Sequence, residues 1–128
     1  IMQSTPQQGI VLFAHGSRDP LWRLPIEAVA QQIKSLSPST EVVCAFLELT
    51  SPDLPTCVQK MSEQGLTHIS VLPMFLGIGK HAREDLPQIM QELKNSHPNI
   101  QFDLRRAIGE EPELTLAMAN IALKFIDQ

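Results

Sequence analysis

His15, Glu48 and His81 recur at one interval, each 33 residues after the last. His15 and Glu48 directly follow apolar runs that read as buried strands, and His81 follows a third such run by a glycine-bearing loop. In a chain of βα repeats this spacing brings all three to one edge of one sheet. The carboxyl edge of a parallel sheet is where such folds bind ligands. Two imidazoles and a carboxylate there read as a site for a divalent transition metal.

Each loop taken alone has a plainer reading. His15 opens His15-Gly16-Ser17-Arg18-Asp19-Pro20 and, by itself, is better explained by a hydrogen bond to a carbonyl at a strand end. Gly16 permits close backbone approach there, and Ser17 or Asp19 is a candidate cap for the next helix. Glu48 lies between Leu47 and Leu49, where an unpaired buried charge is costly. The alternative is a partly exposed carboxylate near a helix N-terminus. Gly77, Ile78, Gly79, Lys80, His81 and Arg83 lie in a third loop, whose glycines suit a mobile flap or close approach to a flat ligand. The rest of a dinucleotide fingerprint is absent, so a phosphate reading is weak. His68, at a strand start, and His97, before Pro98 in a polar turn, have no such setting, and Met61, Met90 and Met118 read as core.

The elements that must position these loops alternate. Strands are expected at Gly9 to Ala14, Glu41 to Phe46 and His68 to Phe75, with a weaker edge strand at Ile100 to Leu104; Pro73 suggests that regular pairing ends near it. The first three are nearly continuous apolar runs, as strands covered on both faces require. A first helix carries the stripe Trp22, Ile26, Val29, Ile33 and Leu36, with Pro25 at its first position. A second starts at Ser51-Pro52-Asp53 and stops at Gly65; a third carries Leu86, Met90 and Leu93 with Pro87 in its first turn. Pro112 opens a fourth, with the apolar face Leu114, Met118, Ile121 and Phe125. The order implies an α/β fold: a four-stranded, mostly parallel sheet with helices on both faces.

Bulk properties narrow the class. The 128 residues are 43% hydrophobic, enough for one domain with a core. The net charge of −4 argues against nucleic acid as a partner. No apolar run approaches a membrane span. The polar opening lacks a signal peptide's apolar stretch, so a cytoplasmic location is expected. Residues 1–8 are expected to be a flexible segment before a single domain at 9–128. Cys44 and Cys57 form no C-x-x-C pair and read as small buried hydrophobes in a reducing compartment.

Ala14-His15-Gly16-Ser17-Arg18-Asp19-Pro20, and Leu76-Gly77-Ile78-Gly79-Lys80-His81 running into Glu84-Asp85-Leu86-Pro87, resemble the two signature loops of the sirohydrochlorin chelatases. Phe46-Leu47-Glu48 matches a third family feature, and the resemblance, which covers essentially the whole chain, is closest to the small single-domain cobaltochelatases of cobalamin biosynthesis. It implies a single flavodoxin-like, chelatase-like domain, a homodimer with its active site between subunits, and ATP-independent insertion of a divalent metal into sirohydrochlorin. His15, His81 and Glu48 match the metal-binding and catalytic residues. Ser17, Arg18, Gly77, Ile78, Gly79, Lys80 and Arg83 are the expected substrate contacts, with Arg105 and Arg106 as further partners for an acidic macrocycle and Trp22 and Leu76 shaping its pocket. No cofactor is expected beyond the metal substrate: Co²⁺, with Fe²⁺ or Ni²⁺ as alternatives that imidazole and carboxylate also accept. The histidine-rich segment and cysteine cluster of longer members are absent.

Other classes fit less well. Histidine phosphatases need an arginine before the histidine, where this chain has Ala14. A flavodoxin-like signalling module needs acidic residues at the end of strand one, and Phe-Ala-His-Gly-Ser has none. Iron insertion for sirohaem, or a non-catalytic tetrapyrrole or metal carrier, are the remaining alternatives.

Overall fold

The structure, a computed structural model, describes residues 7–126. Strands β1 (Gln8–Ala14), β2 (Glu41–Phe46), β3 (His68–Pro73) and β4 (Gln101–Leu104) alternate with helices α1 (Leu24–Leu36), α2 (Leu54–Glu63), α3 (Lys80–Ser96) and α4 (Pro112–Leu123). A 3-10 turn, Ile108–Glu110, precedes α4. The four strands form one wholly parallel sheet in the order β2-β1-β3-β4. As expected, the weakest strand lies at an edge and β3 stops at Pro73, although Met74 N–H still donates to the Phe13 carbonyl at 2.7 Å. Gln8, expected ahead of the domain, is the first residue of β1, and the Gln7 carbonyl accepts from Thr67 N and His68 N at 3.1 and 3.3 Å. The remainder of the expected flexible segment lies outside the described residues.

Alternation along β1 splits the core in two. Val11 and Phe13 face a layer built by Leu54, Cys57, Val58 and Met61 of α2 and by Ala82, Leu86, Met90 and Leu93 of α3. Leu12 faces Ala30 of α1, with Ile26 and Ile33 beside it. Helices therefore cover both faces, which is why the central strands read as continuous apolar runs.

The α2 signals act as the sequence implied. The Asp53 carboxylate accepts from Thr56 N–H at 2.9 Å, capping the helix, and Gly65 leaves it at φ +85. This hydrogen bond holds the Asp53 carboxyl below its ordinary value. Asp53→Ala is expected to cost about 1 kcal/mol at neutral pH. A depressed carboxylate stabilises above its unfolded pKa and loses that contribution as pH falls through the folded value, so the gap should narrow in acid. Urea titrations of both proteins at pH 7 and pH 3 test this; an equal gap at the two pH values would refute it.

Two helices depart from expectation. The third was expected to begin near Leu86 with Pro87 in its first turn, but α3 starts at Lys80, with Gly79 as its N-cap, and Pro87 lies inside it. Ala82 extends the Leu86, Met90, Leu93 stripe one turn upstream and is buried. Burial of that extra turn outweighs the loss of one backbone donor at the proline. Lys80, His81 and Arg83 thus sit on the first turns of a helix rather than in a loop. The fourth helix forms at Pro112, but the face expected to enter the core does not: α4 has no buried residue and packs mainly on the preceding 3-10 turn. Leu114 and Met118 are half-buried, while Ile121 is 52% exposed and Phe125, just past the helix, 83%.

Candidate functional site

The register decides what meets what at the carboxyl edge. β1 and β2 end in step, Ala14 beside Phe46. Their pairing runs on into the loops: Leu47 N–H donates to Ala14 O at 2.9 Å and Glu48 N–H to His15 O at 3.0 Å. β3 flanks β1 on the other side, with Pro73 beside Phe13. Because β1 is central, His15 leaves the sheet between the loop that carries Glu48 and the loop that leads to His81. Neighbouring strands are about 4.8 Å apart, so all three loops share one rim.

His15 is exposed, and its imidazole lies on Phe75, the ring centroids 4.4 Å apart. Phe75 is buried and meets Phe13 edge-to-face at 6.2 Å, so the histidine rests on an aromatic support anchored in the core. Gly16 has φ +104, and a Cβ there would come within 1.7 Å of the Glu48 carbonyl oxygen. Only glycine allows the first loop to lie this close to the second. Leu49, also with positive φ, turns the second loop immediately after Glu48, whose side chain is exposed.

The structure assembles the expected residues only in part. His15, Glu48 and His81 share the rim. Among the described residues, however, no group of three or more histidine, cysteine or acidic side chains is gathered so as to hold a metal. The expected three-ligand set is therefore not pre-formed within one chain. The His15 and Glu48 loops are joined by backbone bonds, whereas His81 sits on the first turn of α3. The cysteines add nothing here: Cys57 is buried, its Sγ donates to Cys44 O at 3.8 Å, and burial pushes its thiol up to about 11.

The expected substrate contacts also divide. Ser17 and Asp19 do not cap α1. Ser17 Oγ accepts from Asp19 N at 3.1 Å and Asp19 Oδ1 from Leu21 N at 2.9 Å, which shapes a turn before the helix. Arg18 and Lys80 are exposed. Arg83 Nη1 donates to Ile78 O at 3.4 Å, tying the third loop to α3, and Ile78 packs on the core. A Cβ on Gly77 or Gly79 would meet nothing within 4 Å, so this chain's own packing does not require glycine there. Arg106 is engaged by Glu111 at 3.0 and 3.3 Å, a pairing that holds the Glu111 carboxyl low. Arg105 lines an open groove on the α1 face of the sheet with Ile10, His68, Ser70 and Leu72. Around the rim, Leu21, Trp22, Leu49 and Leu76 leave apolar surface exposed.

Two features had little signal in the sequence. Phe75 read only as the end of a strand. Arg23, one turn before Glu27 on α1, reaches the second loop: Nε meets Glu27 Oε2 at 2.9 Å, Nη1 donates to Ser51 O at 3.3 Å and Thr50 Oγ1 at 3.5 Å, and the guanidinium lies 4.8 Å from the Phe46 ring centroid. The Arg23–Glu27 spacing was visible as an ordinary helix pair, but the long-range bonds were not.

A sirohydrochlorin cobaltochelatase of Methanopyrus kandleri is 35% identical over 81 residues, 63% of this chain and 57% of that protein. A CbiX protein of Marinobacter aquaeolei VT8 has a solved structure that superposes with a TM-score of 0.79 at 32% identity, covering 91% of this chain and 95% of that one. The sirohydrochlorin chelatase SirB of Bacillus subtilis subspecies spizizenii, solved in complex with cobalt, superposes at 0.78 with 27% identity and covers 93% of this chain but 51% of its own. The chain spans about 57–63% of the length of the first curated relatives it matches. The CbiX family model matches residues 9–123, nearly the whole α/β domain with its three rim loops, and the chain belongs to that family.

Proposed function

We propose that this protein inserts divalent cobalt into sirohydrochlorin without ATP. One observation carries the reading: an exposed imidazole, His15, rests on an aromatic support at the centre of an apolar-rimmed sheet edge, between the elements that bear Glu48 and His81. It is supported by the sirohydrochlorin cobaltochelatase and the cobalt-bound chelatase among its relatives.

Metal insertion requires two pyrrole protons to leave and metal-bound water to be shed. An imidazole can do either task, accepting a proton or holding a metal loosely enough to release it. His15 and His81 take these roles, and Glu48 offsets charge or takes the second proton. Ligands that are not gathered in advance suit a metal that must be handed on. The apolar rim, with Trp22 and Leu76, meets the macrocycle face, and the open surface at Gly77 and Gly79 lets it approach the backbone. Ser17, Arg18, Lys80 and Arg83 meet its carboxylates. The chain acts in the cytoplasm as a homodimer; the exposed apolar residues of α4 supply surface for a second copy. No helix among the described residues is long and apolar enough to cross a membrane.

An anaerobic absorbance time course with sirohydrochlorin, Co²⁺ and a small molar fraction of protein tests the reading. Conversion over many turnovers above the spontaneous rate is expected. A spectral change that stops at one equivalent identifies a carrier. Turnover with Fe²⁺ but not Co²⁺ identifies the iron enzyme.

A further inference from the structure

We infer that Arg23 is a positioning residue that fixes the presentation of Glu48; this rests on the reading of Glu48 as a site residue. The loop from Leu47 to Pro52 is held at its two ends in different ways. Its first residues continue the β1–β2 pairing, through Leu47 N to Ala14 O and Glu48 N to His15 O. That anchors the main chain at Glu48 on its upstream side. Immediately afterwards Leu49 turns at φ +67, and Thr50 N–H closes back on Glu48 O at 2.8 Å. A non-glycine residue in that region persists only where its surroundings hold it. Phe46 N–H closes the base of the loop on Pro52 O at 2.9 Å, and Arg23 holds the stretch between, with Nη1 toward both Ser51 O and Thr50 Oγ1.

Arg23 is in turn fixed. Its side chain is 29% exposed, Nε pairs with Glu27 Oε2, and its plane lies over the ring of Phe46, a fully buried residue at the end of β2. Trp22 contacts the same ring, with centroids 6.0 Å apart. One guanidinium thus spans α1, the end of β2 and the far side of the Glu48 turn. The span needs separate donors at fixed angles, which arginine has and lysine lacks. Without it the loop is held only at its base, by the Leu47 and Glu48 amides on one side and the Phe46 N–H to Pro52 O bond on the other, and the carboxylate samples positions away from the rim. Misplacement on the order of 1 Å can cost a hundredfold in rate.

The test is a double-mutant cycle on metal insertion with sirohydrochlorin and Co²⁺, comparing wild type, Arg23→Met, Glu48→Gln and the double variant. Arg23→Met should lower kcat by about tenfold or more while KM changes little. In the Glu48→Gln background the same change should have almost no further effect, because the group it positions is gone. Fluorescence of Trp22, the chain's single tryptophan, and thermal melts report whether each variant is folded. Should Arg23→Met not fold, Arg23→Lys, which keeps the stem and charge, should show the same dependence on Glu48 at smaller size. Equal loss in both backgrounds, or wild-type kcat in both Arg23 variants, overturns the inference while leaving Glu48 in the site. A wild-type rate in Glu48→Gln overturns the reading of Glu48 and the inference with it.

Discussion

Replacing His15 or His81 by alanine should lower the rate of metal insertion by about a hundredfold or more, the usual worth of a proton-transfer group or metal ligand at its reacting centre. The fold should survive both changes. Each histidine is exposed; His15 gives up its ring contact with Phe75, and His81 is a surface residue on the first turn of α3. Loss of activity with an unchanged melting temperature therefore separates chemistry from stability. The two variants should also differ from each other. His15 sits on the central strand's loop and is locked to the Glu48 loop by backbone bonds, whereas His81 is carried by a helix N-terminus across a loop whose glycines are unconstrained. Steady-state kinetics with circular dichroism and thermal melts make the measurement. Near-wild-type turnover in either variant would remove that histidine from the chemistry.

The second large effect is expected at Gly16. Gly16→Ala puts a Cβ where the Glu48 carbonyl oxygen already lies, 1.7 Å away, on a backbone with φ +104. The obstruction is main chain, so no side-chain rotation relieves it. Strain and forced displacement together should cost about 3 kcal/mol. The displacement also has a direction: it drives the His15 loop off the Glu48 loop, so whatever folds should turn over slowly. Gly77→Ala and Gly79→Ala are the internal control. Neither has a positive φ nor a neighbour within 4 Å of the added carbon, so both should retain stability within about 1 kcal/mol. If those two also slow turnover, the open surface they provide is used by the macrocycle. Urea unfolding of the three variants decides the matter; a Gly16→Ala protein as stable as the controls would show that the two loops are not held in contact in solution.

Much of this site was legible along the chain because its signals are local. Apolar runs marked the strands, and Asp53 and Gly65 marked the ends of α2, since a cap acts within three or four residues of itself. The loop residues His15, Glu48 and His81 could be assigned to one edge from repeat spacing alone. The start of α3 was missed because Pro87 is the stronger local signal, and only the burial of Ala82 against the sheet outweighs it. Arg106 looked like a free cation, but its partner, Glu111, is met only after the chain turns beyond β4.

What the sequence by itself determined is therefore the set of strands and helices, most of their boundaries to within a turn, with the start of α3 the exception, and the types of residue on each loop. Only the tertiary structure decided that β1 lies between β2 and β3, and so that His15 stands between Glu48 and His81. It also decided that His15 rests on Phe75, that Gly16 must yield to a carbonyl 32 positions away, and that Arg23 holds the far side of the Glu48 turn. These contacts join residues distant in sequence. Strand order and register create them, and no pattern confined to a few neighbouring residues encodes which strand comes to lie beside which. The same reason leaves α4 as a helix by its local pattern yet without a buried face, since covering it requires a surface that the described part of this chain does not bring to it.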